Sequence, residues 1–255
     1  MKVLYLECSL GVSGDMLLAA LAGVQNDPEE AFGELEQLLA GLPVEGLRIQ
    51  LGKQMISSIQ TWKVGVQCTG KQPLRTLNDI KKILDVIGHD NHLGDCAMRT
   101  MELIAEAESR VHGVSRDQVH FHEIGALDTI ADVLGVHFLA RRLGARKCIA
   151  SPVNLGSGTV TFSHGTFPVP APACAELAKG MPVFVSDLGM EAATPTGMAL
   201  VRSMANEYGP LPLGFVERVG YGSGDRSSDE CPTFVRAFLL EEDNPQEWYL
   251  GGCPD

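Results

Sequence analysis

The chain has 255 residues, enough to bury a substantial core and long for one domain, so one large or two small domains fit. Its composition, 45% hydrophobic and 20% charged, is that of an ordinary soluble globular protein. A formal net charge of −12 opposes nucleic-acid and anionic-membrane surfaces and favours nearby cations, and no apolar run is long enough to span a bilayer.

Val3 to Leu6 reads as a short apolar strand, Ser9 to Asp15 as a turn, and Met16 to Ala22 as the start of a helix. Strand, small-residue turn and helix place backbone amides and a positive helix end at the turn. Asp15 is wrong for gripping phosphate unaided but suits holding a metal or orienting a donor. The competing reading is a helix cap by Ser13 or Asp15. Glu29 to Leu39 is helical and stops at Gly41. Leu47–Leu51 and Ile59–Val66 read as an antiparallel ribbon. Thr76 caps a helix through about Ile87, and Cys96 to Val111 forms a longer one with Met98, Met101, Ile104 and Ala105 as its buried stripe.

His120-Phe121-His122-Glu123, followed by Asp128 and Asp132, is the densest chemistry in the chain. In an extended segment His120 and His122 share one face. In a helix starting after Glu123, Asp128 and Asp132 share another. Two imidazoles and several carboxylates suit a borderline divalent metal such as nickel, zinc or cobalt. Against this, such histidines can simply pack or hydrogen-bond, and a glutamate at a helix start favours the dipole.

Ala126 to Leu143 reads as a third helix stopped by Gly144, and Lys147 to Ser151 as a strand. The glycine- and proline-rich stretch that follows reads as a shaped loop with short strands. In it Gly156-Ser157-Gly158 offers backbone amides to a ligand, and His164 beside Gly165 is either an exposed functional imidazole or a turn residue. Helices are expected from Ala173 to Lys179 and, opened by Thr194-Pro195-Thr196-Gly197, from Met198 to Tyr208. Phe215–Tyr221 and Thr233–Leu240 read as strands, and the tail beyond Glu241 as poorly ordered. The layout is α+β (mixed α/β), a helical middle between two mixed strand and helix parts. Seven cysteines, scattered and never spaced as Cys-x-x-Cys, fit reduced thiols of a cytoplasmic protein, and no signal peptide opens the chain.

Four blocks together resemble the nickel-insertion (LarC) family of lactate racemase maturation. They are Cys8-x-x-Gly11-Val-Ser-Gly-Asp15-Met16; Val119-His-Phe-His-Glu-Ile-Gly-Ala-Leu-Asp128; Ser151 to Thr159 with His164-Gly165 and Pro168 to Pro172; and Thr194-Pro-Thr-Gly197. The resemblance runs from about residue 1 to 240. It implies nickel insertion into pyridinium-3,5-bisthiocarboxylic acid mononucleotide, dependent on CTP with magnesium or manganese, giving the nickel-pincer nucleotide used by lactate racemase or a similar recipient. On that footing His120 and His122 are nickel ligands, and Glu123 is a third ligand or the orienter of one. Asp15, Asp128 and Glu123 are candidates for proton removal or remaining coordination. Ser13, Gly14, Gly156, Ser157, Gly158, His164 and Thr196 are candidates for contacting the substrate nucleotide.

This chain departs from the family at Glu7, at Leu74 before Arg75, and in the loop from Asp225 to Arg236. Residues 1–240 are expected to form the metal- and substrate-handling region, in one piece or as lobes 1–145 and 146–240, with 241–255 as tail. The family's carboxy-terminal CTP-binding domain is expected to be absent, which leaves a separately made amino-terminal part with a separate CTP-binding chain, a fragment, or a divergent relative without full activity. A homo-oligomer is compatible with the sequence. Two other functions stay open: a non-catalytic nickel carrier or store, and a metal-dependent hydrolase of a phosphorylated small molecule.

Overall fold

The computed structural model describes residues 1–69, 73–87, 91–119, 127–162, 164–227 and 232–242. In chain order the elements are β1 (Lys2–Glu7), α1 (Gly14–Gly23), α2 (Pro28–Ala40), β2 (Leu47–Ile56), β3 (Ile59–Cys68), α3 (Leu77–Leu84), α4 (Asn91–His112), α5 (Leu127–Arg142) and β4 (Lys147–Ala150). There follow β5 (Val153–Asn154), β6 (Thr159–Phe162), β7 (Gly165–Pro168), α6 (Pro172–Leu177), β8 (Val183–Phe184), α7 (Pro195–Met204), β9 (Glu207–Tyr208), β10 (Gly214–Ser223) and β11 (Phe234–Glu242). This is the mixed α+β class expected.

Among the described residues seven strands form one sheet in the order β2-β3-β10-β11-β1-β4-β9. β1 lies antiparallel to β11 and parallel to β4, so its apolar run is hydrogen-bonded on both edges. Side chains alternate along a strand. Leu4 and Leu6 therefore enter the main core beneath the helices, while Val3 and Tyr5 join Ile149 and Leu240 in a small cluster on the other face.

Helix α1 packs on β3, β10 and β11 and against α2 and α5. It sits almost backbone to backbone on β10. A Cβ at Gly220 would fall 2.1 Å from Ala20 O, and one at Gly222 would fall 2.1 Å from Met16 O. Only glycine permits so close an approach.

The ribbon β2–β3 pairs antiparallel as read from sequence. Thr76 caps α3 in a reciprocal box with Asp79. Met101, Ile104 and Ala105 of α4 are buried, with Met98 packed at their edge. Cys8, Cys148 and Cys174 are free and buried, and burial pushes the Cys148 thiol up to about 12. Among the described residues no helix is long and apolar enough to cross a membrane.

One expectation needs correction. The helix opened at Thr194 does not continue to Tyr208 but ends at Met204. Asn206 leaves it to bond Cys148 on both sides, N–H to the Cys148 carbonyl and Oδ1 from the Cys148 N–H, each at 2.8 Å. Glu207 and Tyr208 become an edge strand beside β4. The tail expected beyond Glu241 lies, from residue 243 on, outside the described residues.

Gly222→Ala should destabilise the protein by about 1–3 kcal/mol in urea titration, because α1 must lift from β10. Gly33 in α2, where an added Cβ would meet nothing within 4 Å, is the control. Gly33→Ala should gain roughly 0.5–1 kcal/mol. Equal effects at both sites would contradict the packing described.

Candidate functional site

Val12 fixes the site. Its N–H donates to Ala192 O at 2.8 Å, and its carbonyl accepts from Thr194 N–H at 2.9 Å. This backbone clasp sets the start of α1 beside the start of α7. The first amides of a helix lack partners within it and carry its positive end. Thr194 caps α7 by accepting from Gly197 N–H at 3.3 Å. Ser13 is the N-cap residue of α1, but its hydroxyl donates to Asp15 Oδ1 instead of capping the helix.

Helix α5 brings the third terminus. Asp128 and Asp132 lie one turn apart on it, and Asp132 packs on Gly14, where a Cβ would come within 2.4 Å of its Oδ2. The loop after β10 is drawn in as well. Asp225 N–H donates to Asp15 Oδ2 at 3.2 Å, Lys63 pairs with Asp225 at 2.8 Å, and Arg226 pairs with the buried Glu191 at 2.7 Å.

These parts surround a cavity of about 660 Å³. Its lining includes Ser13, Gly14, Asp15, Asp128, Asp132, Glu191, Thr196, Asp225 and Arg226 at the helix starts and late loop. It also includes Glu108 and His112 from α4, with Phe162, His164 and Phe167 from the β6–β7 hairpin. The volume suits a nucleotide-sized ligand.

Asp132 is the most perturbed group there. Its Oδ1 is sealed from solvent and has no hydrogen-bond partner among the described residues. Burial, then the negative charges of Asp15, Asp128 and Asp225, hold its carboxyl well above the usual carboxylate range. An unsatisfied buried acid is costly to the fold.

Of the sequence-predicted residues, the structure gathers Ser13, Gly14, Asp15, Asp128, His164 and Thr196 in one cavity. Gly156, Ser157 and Gly158 are not in its lining. They pack instead on the loop before α7: Gly156 bridges Glu191, Ser157 N–H donates to Met190 O at 3.0 Å, and Ser157 Oγ accepts from Gly189 N–H at 2.9 Å. His120, His122 and Glu123 lie outside the described residues. Among the described residues no group of three His, Cys, Asp or Glu could hold a metal ion.

Sequence reasoning passed over Glu108, His112 and the cavity-facing role of Asp225. The His112 spacing from Glu108, one helical turn, was the available signal. Their Nε2 and Oε2 atoms lie 3.2 Å apart.

The fold defines an α+β protein that sets helix N-termini, carboxylates and imidazoles around one cavity. A sequence model described as nickel insertion protein matches residues 4–250, and the chain belongs to that family. It is 38% identical over 250 residues to the pyridinium-3,5-bisthiocarboxylic acid mononucleotide nickel insertion protein of Desulfitobacterium hafniense (strain DSM 10664 / DCB-2), covering 97% of this chain and 61% of the relative. It is 39% identical over 239 residues to the protein of that name from Nocardioides sp., covering 94% of this chain and 60% of the relative. The Staphylococcus epidermidis (strain ATCC 12228) protein of that name is 33% identical over 246 residues, covering 96% and 61%. The chain thus spans about three-fifths of the length of these curated relatives. No solved structure matches it.

Asp132→Asn tests the electrostatics. The unfolded Asp132 ionises near 3.8 while the folded one keeps its proton to higher pH. Folding therefore loses stability as pH rises from about 3.8 through the folded value. Asparagine keeps the shape and cannot ionise. The variant should melt higher than wild type at pH 7, with the gap closing as pH falls toward 4. A gap of either sign that does not change with pH would refute the assignment.

Proposed function

We propose that this chain carries the nickel- and substrate-handling part of a nickel insertase acting on pyridinium-3,5-bisthiocarboxylic acid mononucleotide, whose product is the nickel-pincer nucleotide. The observation that carries the reading is the joining of two chemistries in one cavity of a family member. Helix starts with hydroxyls suit an anionic phosphate or thiocarboxylate, and carboxylates suit a divalent cation and a proton.

In this reading Ser13, Gly14 and Thr196 meet the anionic end of the substrate, and Arg226 completes the charge balance with Glu191. Nickel is a substrate. It is held by His120 and His122 with Glu123, donors weak enough to surrender it to two sulfurs and one carbon, as a closed thiolate cage would not be. Asp128, which follows this segment in the chain, lines the cavity.

As the carbon–nickel bond forms, the ring C–H pair passes to the metal and the proton must leave. Asp15 or Asp128 accepts it, with Glu123 the alternative from the metal side. Cation arrival would also favour ionised carboxylates in the crowded acidic wall. CTP with magnesium or manganese, lactate racemase or a similar recipient, a separate CTP-binding chain and a homo-oligomer belong to the same proposal. No residue of this chain is assigned to CTP.

The test combines the protein with nickel, CTP, magnesium or manganese and the bisthiocarboxylated mononucleotide, followed by mass spectrometry. The proposal requires a product heavier by one nickel and lighter by the displaced protons. Stoichiometric nickel uptake without product would make the chain a carrier, and phosphate release without nickel incorporation would make it a hydrolase. Separately, His120→Ala and His122→Ala should each weaken nickel binding tenfold or more, about 1.4 kcal/mol per ligand, with the circular dichroism spectrum unchanged. Unaltered titration curves in both would remove these residues from the metal.

A further inference from the structure

Part of the cavity wall carries four rings that the helix termini do not explain. On the β6–β7 hairpin Phe162 and Phe167 stack, their centroids 5.0 Å apart and their planes 12° from parallel. His164 meets Phe162 edge-on at 6.0 Å and 77°. From the last turn of α4, His112 reaches the same group, its ring centroid 5.1 Å from that of His164. Glu108 lies one turn before His112, and all five side chains line the cavity.

Phe162 packs against the core, whereas Phe167 is only half-buried and His164 is exposed. An accessible stacked pair edged by imidazoles offers flat apolar area to another flat ring. Aromatic faces also attract positive charge, and Glu108 adds a carboxylate to the same cavity. His112 and His164 belong to no metal-holding group of three among the described residues. The features select a planar, cationic heteroaromatic ring.

We propose that Phe162, Phe167, His164 and His112 seat the pyridinium ring of the mononucleotide, with Glu108 orienting His112 at its edge. The proposal rests on the mononucleotide reading above and adds the subsite that separates a pyridinium nucleotide from any other phosphorylated sugar. The helix starts take the charge common to both ligands. The hairpin and α4 read the ring.

Calorimetric titration of the whole protein with nicotinic acid mononucleotide and with ribose 5-phosphate tests this. The first probe carries a pyridinium ring and the second lacks it. Wild type should bind the pyridinium nucleotide at least tenfold more tightly. Phe167→Ala and His164→Ala, which alter partly covered or exposed positions, should each lose fivefold or more for the nucleotide and leave ribose 5-phosphate unchanged, while Phe167→Trp keeps the preference. Unchanged nucleotide affinity in both alanine variants, equal loss of both ligands, or no preference in wild type would overturn the ring seat alone. Failure of wild type to bind either probe would overturn the mononucleotide reading with it.

Discussion

The site depends on a short stretch of backbone, Val12 held between Ala192 and Thr194. Two hydrogen bonds there join the first βα turn to the start of a helix about 180 residues later in the chain. Without that clasp, Ser13 and Asp15 would have no fixed relation to Thr196. With it, the starts of α1 and α7 stand together, and α5 is added through the contact of Asp132 with Gly14. The glycine-paved contact of α1 on β10 ties this assembly to the sheet and brings the loop of Asp225 and Arg226 over it.

The electrostatics of the assembly pull in two directions. Helix starts favour negative charge, and the wall already contains Asp15, Asp128, Asp132, Glu191 and Asp225. Some of that charge is answered within the protein, by Lys63 for Asp225 and Arg226 for Glu191. Asp132 has no such partner among the described residues, and burial beside like charges holds its carboxyl well above the usual carboxylate range. A wall in this state is poised for a ligand carrying both signs. Under the function proposed above, a mononucleotide with anionic groups and a cationic ring, arriving with a divalent ion, would meet each of these demands.

Much of this was legible in the sequence where the signal was local. The β1–turn–α1 unit, the Thr76 cap and the shared face of Asp128 and Asp132 follow from short-range periodicity and turn chemistry, and they appear in the structure. What was not legible depends on distant partners. Ser157 reads as a ligand-facing turn residue until Gly189, more than thirty positions later, is seen to use its hydroxyl. Helix α7 reads through to Tyr208 until Asn206 meets Cys148. His112 gains its ring partner only when the β6–β7 hairpin folds back upon it. The unsatisfied oxygen of Asp132 leaves no trace in the pattern at all, because burial is a property of the packed chain.

The central claim is that the clasped helix starts receive the substrate. Heteronuclear NMR of the ¹⁵N-labelled protein, titrated with the bisthiocarboxylated mononucleotide, tests it most directly. Saturable shifts should concentrate on the amides of Gly14, Asp15, Thr129, Thr196 and Gly197. If those resonances stay fixed while others move, for instance Tyr5 and Ile149 on the far face of the sheet, the clasp is structural only and the account is wrong.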